Sequence, residues 1–162
     1  MTEFDQRLKR AIERGTRRSE AKAQAAQAKA MSEEELKSLH TKHRLSLSEH
    51  IEHCVRTLPQ HFPGFRHETI YGERGWGAAC SRDDVGRGQA GKRANYFSRL
   101  EMTIRPFSAS RVLELVAKGT IRNKEVFNRS HFEKLDDADP ETFRELIDVW
   151  VLEYAELYAA RS

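Results

Sequence analysis

Residues 86–95 read GRGQAGKRAN, and two incompatible folds pass through them. Gly86, Gly91 and Lys92 stand where a phosphate-binding loop of the form GxxxxGK[ST] has its glycines and its lysine, but Arg93 occupies the place of the hydroxyl that holds Mg²⁺. Such a loop also needs a buried strand before it and a helix after it, so that backbone N–H groups and a helix N-terminus converge on the phosphates. Here CSRDDV precedes and NYFSRLEMTI follows, the latter alternating as a strand does. The stretch therefore reads as a polar, glycine-rich connection between antiparallel strands. No cofactor is expected.

Working outward, HETIYG and WGAACSRD flank a Gly-Glu-Arg-Gly turn, and NYFSRLEMTIRPF alternates Leu100, Met102 and Ile104 against Arg99, Glu101, Thr103 and Arg105. RVLELVAKGTI sets Leu113, Leu115, Ala117 and Ile121 on one side, and RNK at 122–124 is a tight turn into EVFNRSHFEKL. A period of two over short runs separated by turn residues predicts an antiparallel β-meander of about five strands with one apolar face.

A helix follows the strands. Asp139 is a good N-cap and Pro140 suits the first helical position, where its missing N–H costs nothing. Phe143, Leu146, Ile147, Trp150, Tyr154, Leu157 and Tyr158 then recur at helical spacing, so this amphipathic helix should lie across the apolar face of the sheet. Its acidic flank of Glu145, Asp148, Glu153 and Glu156 should meet the sheet's basic rim.

The first 57 residues contain no proline and one glycine, Gly15, and are rich in good helix formers. Phe4, Leu8, Ala11 and Ile12 make a thin apolar stripe, after which RSEAKAQAAQAKA offers only alanines. From Leu36 the stripe widens through Leu39, Leu47, Ile51, Cys54 and Val55. Ser32 with Glu35, and Ser46 with Glu49, form capping boxes at which one rod could divide into pieces. Pro59 disfavours helical backbone at Leu58, and PQHFPGF reads as the exit. The fold class is α+β: a basic, Ala-rich helical arm or flexible extension over 1–31, then a single domain over 32–162 with a helix at 33–57, strands within 65–135 and a helix at 140–160.

The chain has 162 residues and a formal net charge of +3, unevenly spread: residues 61–135 carry 14 Lys/Arg against 8 Asp/Glu, and residues 136–162 carry 2 against 8. No apolar run approaches the roughly 20 residues of a membrane span. Cys54 and Cys80 lie in different predicted elements, and the first residues lack the apolar run of a secretory leader, so reduced thiols and a cytoplasmic setting are expected.

Three chemistries compete with an inert surface. Arg87, Lys92, Arg93, Arg99 and Arg105, interleaved with Trp76, Tyr96 and Phe97, are the candidates for nucleic-acid contact through phosphates and stacking. Asp83, Asp84 and Glu101 among them speak for an ordinary mixed surface. His40 with His43, and His50 with Cys54, share helix faces at i,i+3 and i,i+4 and are the metal-ligand candidates. Further ligands would come from His61, His67, Cys80 or a second subunit; the plain alternative is histidines flanking a buried stripe. There is no GxSxG elbow, and His53 beside Cys54 cannot face it on a helix, so no catalytic residue is named and the balance leans away from an enzyme.

These features favour a non-enzymatic protein-interaction module, adaptor or chaperone-like, using the helical arm and a sheet surface, with a protein partner or a second copy on the arm. The alternative is a nucleic-acid-associated factor, RNA or DNA, using the basic loop 86–95 and the arm. A second alternative is a small-molecule enzyme with an unidentified site.

Overall fold

The computed structural model describes residues 2–87 and 91–161, and the side chains of all of these except 28–31 and 87. The elements follow in the order α1 (Glu3–His61), β1 (Arg66–Ile70), β2 (Trp76–Arg87), β3 (Arg93–Ile104), β4 (Val112–Ile121), β5 (Lys124–Lys134), a 3₁₀ turn (Leu135–Asp137) and α2 (Pro140–Arg161). The chain divides into two units, Met1–Ser38 and Leu39–Ser162.

Within the second unit the five strands form one antiparallel sheet in the order β1-β2-β3-β4-β5, the meander expected from the alternation. Its turns follow from residue chemistry. Gly72 and Gly75 both have positive φ, and Gly75 N–H donates to Gly72 O at 3.1 Å. Between β4 and β5, Arg122 and Asn123 have φ of 48° and 70°. Two left-handed residues in succession are what a two-residue hairpin needs to match strand twist. Asn123 Oδ1 also accepts from Phe97 N–H at 2.8 Å, and Asn123 N–H donates to Phe97 O, which ties the turn to β3.

One face of the sheet is apolar. Ala78 and Cys80 of β2, Leu100, Met102 and Ile104 of β3, Leu113, Leu115 and Ala117 of β4 and Phe127 of β5 are all buried there. α2 lies on this face through Phe143, Ile147, Trp150, Val151, Tyr154 and Tyr158. Asp139 caps it as expected, its Oδ1 accepting from Glu141 N–H at 3.1 Å. Tyr154 donates from its hydroxyl to Thr120 O at 2.8 Å and sets its ring edge-on to Phe127. Beside α2, the α1 residues Leu47, Ile51, Val55 and Leu58 cover the rest of the face.

α1 is the single helix that the sequence left open as one alternative, and it departs from expectation only at its end. It is helical from Glu3 to His61, so neither capping box is a helix start; Ser46 instead accepts from Arg144 Nη2 at 2.8 Å. Nor does Pro59 end it. The helix runs to His61, and Phe62 N–H still donates to Leu58 O at 2.8 Å. Proline here forgoes only its own bond to the preceding turn, while Leu58 is buried and Phe62 sets its ring against Tyr158.

A hypothetical Cβ on Gly77 would fall 1.9 Å from Met102 O and 2.9 Å from Met102 C, both backbone atoms of the neighbouring strand. At Gly15, in the first unit, a Cβ meets nothing within 4 Å. Gly77→Ala is therefore expected to part β2 from β3 and to cost at least the roughly 1–3 kcal/mol of core overpacking, whereas Gly15→Ala should raise helicity by about 0.8–1 kcal/mol of propensity. Urea unfolding of the first variant and far-ultraviolet circular dichroism of the second measure these changes.

Candidate functional site

The opening stretch is part of a hairpin. Gly86 lies in β2 opposite Ala94 of β3, antiparallel, so no helix follows the glycines. Its lack of a side chain serves packing, since a Cβ there would come within 2.6 Å of the Tyr96 ring. Residues 88–90 and the side chain of Arg87 lie outside the described residues.

The five basic candidates are spread along a ribbon. The Arg87 backbone pairs with Arg93 at one end of β3, while Arg105 follows its other end. Twelve residues of strand separate Arg93 from Arg105, about 40 Å at a rise of about 3.4 Å per residue. Arg99 is held by Glu68 at 2.6 Å, and Arg105 lies 3.7 Å from Glu114. Lys92 and Arg93 are exposed. The aromatic residues set among them are covered or apart: Arg44 stacks on Trp76 at 4.1 Å and Arg122 on Tyr96 at 4.4 Å, and Phe97 is partly exposed. A cleft of about 400 Å³ near the Tyr96 side gathers His61, Arg82, Arg122 and Arg161. Arg82 there already donates to Asp84 at 2.8 Å and to Pro63 O at 2.7 Å.

The histidines separate into two environments. His40 and His43 do not flank the buried stripe; they belong to it, three and four residues apart on the face that continues through Leu47. His40 donates from Nε2 to Arg105 O at 3.0 Å and meets Phe107 edge-on. Burial holds the pKa of both below the ordinary value of 6.5, with the Arg105 carbonyl partly offsetting this at His40.

His50 and Cys54, one turn apart, look sideways from α1 to α2. There Asp148 completes a cluster that sequence spacing did not reveal. His50 Nε2 donates to Asp148 Oδ1 at 2.7 Å, Cys54 Sγ donates to the same oxygen at 3.4 Å, and Sγ lies 3.6 Å from His50 Nε2. The three donor atoms lie within 4.8 Å of one another. Burial first, and then the hydrogen bond and negative charge of Asp148, push the Cys54 thiol up to about 12. A nucleophilic Cys-His-Asp triad needs the carboxylate on the imidazole nitrogen remote from the thiol. Here thiol and carboxylate meet the same nitrogen, so the cluster does not have that arrangement. His61 and His67 stand elsewhere: His67 is 3.3 Å from Glu52, and His61 lines the arginine cleft. Cys80 is fully buried in β2.

Asp148 was expected at the sheet's rim with Glu153. Glu153 goes there, forming a two-pronged pair with Arg129 of β5 whose longer bond is 3.0 Å, whereas Asp148 meets His50 and Cys54 of α1. The signal for Asp148 lay in its place beside Ile147 on the edge of the buried stripe, but which helix edge faces α1 is a matter of docking.

In the first unit, Phe4, Leu8 and Ile12 are 70%, 48% and 60% exposed. Their i,i+4,i+8 spacing places them on one side of α1.

His40 and His43 generate a pH dependence. The unfolded chain protonates them near 6.5, before the folded chain does, so their contribution to stability is full above about 6.5 and is lost as pH falls through the lowered folded-state values. The thermal midpoint should fall between about pH 7 and about pH 5, and the double variant H40Q/H43Q should show a shallower fall. Compared with known protein families, with characterised proteins and with solved structures, the chain matches none.

Proposed function

We propose that this protein is a non-enzymatic protein-interaction module, and that the N-terminal part of α1 is its docking element. The observation that carries this reading is the bare stripe of Phe4, Leu8 and Ile12 on a segment whose described side chains are exposed from residue 2 to residue 27. A helix draws most of its stability from packing an amphipathic face. Here that face is left to a partner, which would gain roughly 1.5–3 kcal/mol per large side chain before the costs of association.

Charge narrows the choice of occupant. Arg7, Arg14 and Arg18 run along one border of the stripe, and residues 1–30 carry 8 Lys/Arg against 4 Asp/Glu. Two copies in register would bring Arg18 and Lys22 against their counterparts, and the reversed pairing would still join two basic segments. An acidic amphipathic helix of a different protein satisfies both the stripe and its border. Beyond Ile12 the same side carries Gly15, Ser19 and Ala26, which allow close approach of another helix. The nucleic-acid reading draws less support, because Arg99 and Arg105 are engaged with carboxylates.

A photo-reactive residue placed at position 11 of the full chain, activated in the native cell, tests the proposal. The expected result is a discrete, nuclease-resistant protein adduct that disappears when Arg7, Arg14 and Arg18 are changed to Glu. An adduct sensitive to nuclease, an adduct of twice the chain's mass, adducts to lipid alone, or none at all would each overturn it. Each of the three charge reversals should change the unfolding free energy by no more than about 0.5 kcal/mol, as expected for exposed positions.

A further inference from the structure

We propose that His50, Cys54 and Asp148 bind one zinc-type divalent ion, which clamps α1 to α2. The convergence of three unlike donors, an imidazole and a thiol from one turn of α1 and a carboxylate from α2, carries the inference.

The distances can be compared with what a metal would impose. Zinc bonds of about 2.0–2.1 Å to nitrogen or oxygen and about 2.3 Å to sulfur, at tetrahedral angles, put sulfur about 3.6 Å from the nitrogen and oxygen ligands, and those two about 3.3 Å apart. Cys54 Sγ already stands 3.6 Å from His50 Nε2 and 3.4 Å from Asp148 Oδ1. The remaining edge, His50 Nε2 to Asp148 Oδ1, is a 2.7 Å hydrogen bond. It has to open by about half an ångström when an ion takes the place of the shared proton, a movement within the reach of side-chain torsions.

Donor chemistry selects the ion. Thiolate with imidazole suits zinc and its neighbours, while calcium and magnesium demand oxygen ligands. Charge balances as well. Cys54 gives up its thiol proton to solvent, His50 stays neutral by carrying its proton on Nδ1, and Asp148 is ionised, so two negative ligands offset a divalent cation. The same balance explains why Cys54 sits between a carboxylate and an imidazole, a poor place for a free nucleophile. The three donors line a cleft of about 400 Å³ together with His53, Thr57, Val151 and Leu152, which leaves room for water or an incoming ligand as a fourth donor.

This site does not depend on the docking role of the N-terminal segment, and its test uses other residues. The full chain, stripped with chelator and dialysed, is titrated with cobalt(II), which reports a sulfur ligand by a thiolate-to-metal charge-transfer band, and then with zinc(II) by calorimetry. The expected result is one ion per chain, a charge-transfer band, displacement of cobalt by zinc, and a rise in thermal midpoint with zinc, since only the folded chain assembles the site. C54S should abolish the band. D148N should weaken binding by more than the roughly 10- to 100-fold that losing a hydrogen-bond partner of a ligand costs. H61Q, which lies in the separate arginine cleft, should leave stoichiometry and band unchanged. Circular dichroism of the stripped variants confirms that each is folded. No saturable uptake, a band that survives in C54S, or an affinity unchanged in folded D148N would overturn the proposal.

Discussion

Tyr154 stands where the layers of the second unit meet. Its ring is buried, edge-on to Phe127 and stacked with Tyr158, and its hydroxyl reaches Thr120 O. Burial, with Cys80 and Tyr158 close by, raises the pKa of the phenol, so it keeps the proton that the hydrogen bond requires. A large aromatic group with a satisfied polar tip fixes helix to sheet in depth and in direction at once. The sheet makes room for it. Gly119 is narrow because a Cβ there would come within about 3.1 Å of both the Phe127 and Tyr154 rings, and the pairing of β4 with β5 shifts between Gly119 and Thr120.

Once α2 is held, α1 has one place left on the apolar face, and the contacts between the two helices follow. Arg144 reaches Ser46 at one level and Asp148 meets His50 and Cys54 at the next. Further along, Phe62 and Phe65 close around Tyr158 with ring centroids 4.9 Å away. The polar cluster is thus a product of the same docking that builds the core. Its members sit at the edges of two buried stripes, half-sheltered, where polar groups gain partners without being sealed from solvent.

Charge is handled locally elsewhere. On the outer face of the sheet Glu68 pairs with Arg99 and Arg74 with Glu101, both at 2.6 Å, so part of the basic excess read along residues 61–135 is engaged by neighbouring carboxylates. Pairs at this exposure contribute little to stability, but they set which cations are available for anything else. Among the described residues no helix is long and apolar enough to cross a membrane.

The strands, α2 and the apolar face of each were legible in the residues alone, while residues 1–31 were open between a helical arm and a flexible extension. Alternation of Leu100, Met102 and Ile104 against their charged neighbours, the spacing of Phe143 through Tyr158, and the turn at Arg122 and Asn123 are local properties of backbone and side chain, so they survive into the fold unchanged. The helix end was misjudged by four residues, because the packing of Leu58 and Phe62 outweighs a proline's lost hydrogen bond. His50 and Cys54 were legible as a pair at i,i+4, whereas His40 and His43 proved to be core residues. Asp148 could not be read from spacing. It lies 94 residues from Cys54, and their meeting depends on how two helices rotate and slide on a shared sheet, which only the simultaneous packing of every buried side chain decides.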